Sequence, residues 1–272
     1  MQGTTHRLGG MATGALIPAV ATLIGEGGIY SNYDIGAIIA GAAIGSLVPD
    51  LDSKYGLMSE KLKLTSAVVR KVTGHRGFTH TLVALVMYAV ICIICGGSLE
   101  RMAKVKGLGI GIAITVAVIL GTCGGFCYTV FRKITLGRVY KKHLAEVTCG
   151  CFLLGFALTI YDPVFVANLM VEFLIGSIFG YANHLLMDCF TVSGMQLFKP
   201  FNDYEVHLGK CRTGSNWRNL KPDDFPKKGD SKQVKESKAL ARKKAKGHPG
   251  EPVYAFVSVL IFTISLAIIF VM

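Results

Sequence analysis

Val253–Met272, which reads VYAFVSVLIFTISLAIIFVM, runs for twenty residues without a charged side chain. A bilayer core about 30 Å thick is crossed by about 20 apolar helical residues, so this stretch alone is long enough to span it. It is apolar on every side, whereas a helix on the surface of a soluble core carries an apolar stripe. Six further runs precede it: Leu8–Ile24, Ile35–Pro49, Phe78–Gly97, Leu108–Phe131, Val147–Tyr161 and Pro163–Met187. The expected fold is therefore an all-α integral membrane protein, a bundle of about seven transmembrane helices. Of the 272 residues 51% are hydrophobic and 17% charged, against roughly 25% charged in a soluble domain. The mean hydropathy is +0.49. Ile35–Pro49 is the shortest run, and its 15 residues reach only about 22 Å at a helical rise. It reads as an upright or partly re-entrant span. Leu8–Ile24 follows Arg7 and is interrupted by Pro18. With no small-residue cleavage site behind it, it reads as a retained first span rather than a signal peptide.

The net charge of +12 is first a topology signal. The amino terminus and segments 50–77, 132–146 and 188–252 carry one, six, five and fourteen Lys or Arg, whereas segments 25–34, 98–107 and 162 carry none, three and none. Basic loops stay in the cytoplasm, so the amino terminus is expected inside and the carboxyl terminus outside. Arg101, Lys104 and Lys106 are the discordant charges. The chain divides into a bundle at 1–198, a basic cytoplasmic loop at 199–252 and a last helix at 253–272. Within the loop Lys232, Lys235, Lys238, Arg242 and Lys246 would share one face of a helix. Segment 227–246 is either a solvated linker or a contact for anionic lipid. It lacks interleaved aromatics, so nucleic acid is not expected as a partner. The eight cysteines include Cys92-x-x-Cys95, but this pair falls in mid-span with no second pair, where cysteine acts as a small hydrophobe. The spacings Gly41-x-x-x-Gly45, Gly121 with Gly125, and Gly176-x-x-x-Gly180 suit close helix packing in lipid.

Four polar patches rich in metal-ligand residues lie at span ends: Thr5-His6-Arg7, Pro49-Asp50-Leu51-Asp52, His75-Arg76-Gly77-Phe78-Thr79-His80 and Asn183-His184-Leu185-Leu186-Met187-Asp188. The charge-derived topology puts all four on the cytoplasmic side. His184 and Asp188, at i and i+4, share a helix face and suit one ion. Asp50 and Asp52 follow a helix-ending proline, and paired carboxylates attract and bridge divalent cations. Gly77 permits a bend, leaving His75 on a loop and His80 in the first turn of the third span, with Thr79 or Thr81 available to cap that turn. Taken singly, each patch also reads as an ordinary polar helix end. Together they supply seven candidate ligands: His6, Asp50, Asp52, His75, His80, His184 and Asp188. Ionisable groups at membrane depth are expensive and mark function. Mixed imidazole and carboxylate donors suit Zn, Mn or Fe better than Ca or Mg, with Zn or Mn preferred and one or two ions held. Arg76 is placed to neutralise the carboxylates or to hold a phosphate.

Gly45-x-x-x-Pro49-Asp50-x-Asp52, His75-Arg76-Gly77-x-Thr79-His80-Thr81 and Gly180-x-x-Asn183-His184-Leu185-x-x-Asp188, in this order behind His6, resemble the YdjM-like, LexA-regulated type of inner-membrane metal-dependent hydrolases. The resemblance spans about residues 1–215 and includes Lys199-Pro200-Phe201 and Arg212-Thr213-Gly214-Ser215. Trp217 and Arg218 stand where that family tends to show an acidic residue. The resemblance implies hydrolysis and the cell inner membrane.

The expected function is a membrane-bound hydrolase using metal-activated water at the cytoplasmic face. Asp52 would be general base or bridge, and Arg76 would steady an anionic substrate or transition state. A phosphoester, on a lipid, is the favoured substrate class. No serine or cysteine stands in a motif with a base, which favours water as nucleophile. Two other readings stay open. A divalent-metal transporter would need polar groups through the membrane, of which Glu172 is the main example. A non-catalytic scaffold would use a closed ion site to tie helix ends together.

Overall fold

The computed structural model describes residues 3–52, 78–105, 111, 113–119, 121, 128, 143–191, 195–202, 204–206, 208 and 250–271. Six long helices account for most of them: α1 (Gly3–Leu23), α2 (Asn32–Gly45), α3 (Leu82–Ala103), α4 (Leu144–Tyr161), α5 (Pro163–Cys189) and α6 (Gly250–Val271). Residues 113–119 are also helical. The chain forms two units, one of residues 1–92 with 172–272 and the other of residues 93–171.

Five segments are long and apolar enough to cross a membrane: Asn32–Leu51, Leu82–Ala103, Leu144–Tyr161, Pro163–Cys189 and Val253–Val271. This is an all-α membrane protein. Helix α1 covers the first expected span and continues through Pro18. It falls short in hydropathy because its opening turns carry His6 and Arg7. Much of the fourth expected span, Leu108–Phe131, lies outside the described residues, as do segment 227–246 and most of the basic loop.

Local chemistry shifts the boundaries from those expected. Helix α2 starts at Asn32, ahead of Ile35, because Ser31 and Asp34 form a reciprocal capping box. Such a box satisfies two of the amide donors a helix start leaves over. The helix ends at Gly45, and Pro49–Asp52 forms a 3-10 turn, as expected ahead of a proline that disfavours helical backbone before it. Helix α3 begins at Leu82 rather than Phe78. Phe78–His80 is a separate 3-10 turn, and the Thr81 hydroxyl accepts from Ala84 N at 3.1 Å, so Thr81 is the cap. His80 thus stands in the turn before the helix, not in its first turn. At its other end α3 extends to Ala103 and takes in Arg101, one of the three discordant charges. Between α4 and α5, Asp162 accepts from Phe165 N at 2.9 Å and Pro163 opens α5, the first-turn position a proline tolerates best.

In the first unit α2 and α5 run parallel and in contact through glycine. A Cβ at Gly41 would lie 1.9 Å from the Phe173 carbonyl oxygen, and one at Gly45 2.0 Å from that of Ser177. From the other side, Gly176 would meet Ile38 O at 2.1 Å and Gly180 would meet Ala42 O at 2.0 Å. Two of the small-residue spacings read from the sequence are therefore partners. Lipid tails give two helices no hydrophobic reason to associate, so backbone approach through small residues has to supply the packing. Helix α1 packs against α2 and α6, running antiparallel to α2. Its Gly9 abuts Met187 and Asn183, and its Gly10 and Gly14 abut Ala42. This packing brings the start of α1, the end of α2 and the end of α5 together.

Candidate metal centre

The end of α5 supplies His184 and Asp188 on one face, as their spacing requires. The His184 Nε2 atom stands 3.6 Å from Asp188 Oδ2. Because α2 lies parallel and close, the carbonyl of Ser46 at its end reaches His184 Nδ1 at 2.6 Å. A carbonyl can only accept, so His184 Nδ1 carries the proton and Nε2 presents a lone pair. That Nε2 is buried and has no hydrogen-bond partner. Metal-ligating histidines commonly donate their other N–H to a backbone carbonyl, which fixes tautomer and ring orientation.

Three more elements converge on this atom. The start of α1 brings His6, whose ring stacks on His184 with centroids 3.8 Å apart. Its Nε2 lies 3.2 Å from Asp188 Oδ1. The 3-10 turn before α3 brings His80, with Nε2 4.0 Å from Asp188 Oδ2 and 4.0 Å from Asp50 Oδ1. The turn after α2 brings Asp50. His6, His80, His184 and Asp188 are buried, while the Asp50 side chain keeps 22% of its surface exposed and opens the cluster to its surroundings. His6 precedes the apolar body of α1. Burial first, and then the neighbouring His184, lowers its pKa to about 4, so its ring is neutral at pH 7, the form that binds a metal.

Two triads have ligand atoms lying within 4.8 Å of one another: His6, Asp50 and His184, and His80, His184 and Asp188. Around a tetrahedral zinc with bonds of about 2.1 Å, ligand atoms stand roughly 3.4 Å apart. Within the second triad the His184–Asp188 and His80–Asp188 separations, 3.6 and 4.0 Å, lie close to that value. An orphaned, buried imidazole nitrogen facing further imidazoles and carboxylates is a donor set that fits a divalent metal ion.

Five of the seven expected ligands thus meet: His6, Asp50, His80, His184 and Asp188. For Asp52 the backbone lies in the 3-10 turn, while its side chain is outside the described residues, as are His75 and Arg76 altogether. Three contributors carried no ligand signature in the sequence. Ser46 acts through its carbonyl. The Thr79 hydroxyl lies 3.1 Å from His80 Nδ1, and Tyr181 donates to the Thr79 carbonyl. Tyr181 stands three residues before His184 on α5, and this spacing was its one available signal.

The YdjM inner membrane protein family matches residues 1–269. Among similar proteins, the uncharacterized protein YvsG of Bacillus subtilis is 34% identical over 91 residues, 33% of this chain and 51% of that protein. The inner membrane proteins YdjM of Escherichia coli and of Shigella flexneri are each 38% identical over 57 residues, 21% of this chain and 29% of theirs. The chain therefore spans about half the length of the first relative and under a third of the others. No solved structure matches. The candidate spans and these relatives agree on a multi-pass protein of the inner membrane, and the match over nearly the whole length makes this chain a member of the YdjM inner membrane protein family.

Proposed function

We propose that this protein is a membrane-bound, metal-dependent hydrolase. The observation that carries the reading is the His184 ring: Nδ1 is committed to the Ser46 carbonyl, and the buried Nε2 faces two carboxylates and two further imidazoles with no proton to donate. When bound, a divalent ion supplies Lewis-acid chemistry and lowers the pKa of a water towards neutrality. His184, His80, Asp188 and His6 would hold it, with Asp50 on the open side. Zn or Mn suits these donors. Both triads include His184, whose one free lone pair is on Nε2, and this supports one ion rather than two. Asp52 remains the proposed base and Arg76 the proposed anion-holding group, with the site on the cytoplasmic face. His75 is a further proposed ligand. A phosphoester on a lipid is the proposed substrate class.

Asp50's exposure favours catalysis over a purely structural ion, because a scaffold site closes its coordination shell. The transporter reading would need polar groups leading away from the site through the bilayer. Ser177, on that route, is already bonded to Leu174 O at 2.7 Å and to the Tyr88 hydroxyl at 3.0 Å.

Elemental analysis of purified protein tests the centre. The wild type should carry one equivalent of a transition metal, and His80→Ala and His184→Ala should each lose the same ion. Unchanged metal content in both variants would sink the proposal. Metal-dependent release of phosphate from a panel of lipid and soluble phosphoesters then tests catalysis. A metal-loaded protein inactive on the whole panel would favour the scaffold.

A further inference from the structure

Residues 195–208, as far as they are described, fold back against the site end of the first unit. Met195 and Val206 exchange backbone hydrogen bonds of 3.1 and 2.8 Å, Leu82 N donates to Leu197 O at 2.9 Å, and Leu208 N donates to Cys189 O at 2.8 Å. The segment is therefore pinned both to the start of α3 and to the end of α5. Its inner side chains are apolar and packed: Met195 joins a buried cluster with Ala84, Tyr181, Leu185 and Cys189, and Leu197 and Val206 pack against that cluster. Four of its outward side chains are large and apolar or aromatic: Phe198 is 47%, Phe201 84%, Tyr204 65% and Leu208 54% exposed, with Pro200, Asn202 and Glu205 exposed between them.

Two physical constraints bracket where such a segment can lie. Large aromatic side chains clustered on one surface are unfavourable in bulk water and mark an interaction site. Irregular backbone facing lipid is excluded from the hydrocarbon core, since its free amide and carbonyl groups find no water there. The headgroup layer satisfies both constraints, and tyrosine is enriched at that level. The polar residues interleaved here suit it as well, since Lys199 Nζ donates to Gln196 Oε1 at 3.0 Å and Tyr204 N to Asn202 Oδ1 at 2.9 Å.

We propose that the described residues of 195–208 form a lip lying in the headgroup layer of the bilayer, with Phe198, Phe201, Tyr204 and Leu208 in contact with lipid. The lip ties the adjoining helix ends, and with them His80 and Asp188, to that same depth. A lipid headgroup would then reach the cluster along the membrane plane, a consequence that rests on the hydrolase reading. The lip itself does not.

Trp217 is the only tryptophan in the chain, which makes the test direct. In a Trp217→Phe background, Phe201→Trp and, separately, Phe198→Trp place a single fluorophore on the lip. The full-length protein is reconstituted into vesicles of phosphatidylcholine and phosphatidylglycerol. Emission should be blue-shifted from that of tryptophan in water. Lipids brominated near the carbonyl end of their acyl chains should quench it more than lipids brominated near the methyl end, and both should exceed aqueous acrylamide. Strong acrylamide quenching without bromine quenching would put the lip in water and overturn the proposal. Stronger quenching from the methyl end would put it in the hydrocarbon core and overturn it equally. Blue-shifted emission reached by neither quencher would mean that protein covers the surface, again against it. None of these readouts depends on metal or turnover.

Discussion

Helices α4 and α5 are equally apolar, yet 39% of the most apolar stretch of α5 is buried by protein and only 11% of that of α4. Helix α2 is buried like α5, at 44%. Apolarity therefore does not decide which spans pack closely. In lipid every apolar helix is equally well solvated, and close packing goes to the pair whose small residues line up. Gly41 and Gly45 on α2 meet Gly176 and Gly180 on α5. Among the described residues, Gly150 on α4 has nothing within 4 Å of where its Cβ would be, and where Gly121 does approach α4 its Cβ would stand 3.1–3.2 Å from Phe152 and Thr148, a looser fit. The glycine-locked pair is also the pair that carries Ser46, Asp50, His184 and Asp188. The candidate site sits on the spans whose relative position the backbone itself fixes.

The severest test of this contrast is to add one methyl group to the seam. Gly45→Ala and Gly180→Ala each drive a Cβ to 2.0 Å from a carbonyl oxygen of the facing helix, and backbone cannot yield as a flexible side chain would. Overpacking of this kind costs about 1–3 kcal/mol, occasionally more. Both variants should lose stability in detergent unfolding and should lose metal, because the Ser46 carbonyl would no longer meet His184 Nδ1. Wild-type stability together with full metal content in both would show that the glycine seam does not build the site.

Tyr181→Phe sharpens the comparison at a smaller scale. The Tyr181 hydroxyl donates to the Thr79 carbonyl, Thr79 lies against His80 Nδ1, and the Tyr181 ring rests 5.0 Å from that of Tyr88 on α3. Tyr181 links the turn bearing His80 to the helix bearing His184. Removing supports of this kind lowers metal affinity by about 10–100-fold. Competition with a chromogenic chelator measures it. Equal weakening in Tyr88→Phe, which leaves the Thr79 bond in place, would assign the effect to general packing instead.

The candidate ligands were legible in the sequence because each is a charged or titratable residue at the end of an apolar run, where such groups are conspicuous. His184 and Asp188 declared a shared face by spacing alone, and the two glycine spacings declared close packing. The partnership between the spacings was not legible, because each asks only for some close neighbour. Nor was Ser46, which contributes a carbonyl that any residue type would carry. The turn at Phe78–His80 was hidden for a related reason. Phe78 continues the apolar run in composition, and the hydroxyl of Thr81 sets the helix start three residues later. The lip at 195–208 was invisible because its fold rests on long-range backbone bonds to Leu82 and Cys189.

The smallest expected effect lies on the other side of the contrast. Gly150→Ala places its methyl group in open space on an exposed stretch of α4. A mid-helix glycine is less favourable than alanine by about 0.5–1 kcal/mol through backbone entropy alone, so this variant should be slightly more stable than wild type, with unchanged metal content. The value of the measurement lies in its sign. The same chemical change, glycine to alanine inside an apolar span, should destabilise at Gly45 and stabilise at Gly150, because a carbonyl oxygen faces one and, among the described residues, open space the other. If Gly150→Ala proved as damaging as Gly45→Ala, α4 would have to be covered by another helix, and the division between locked and lipid-facing spans would fail at that point.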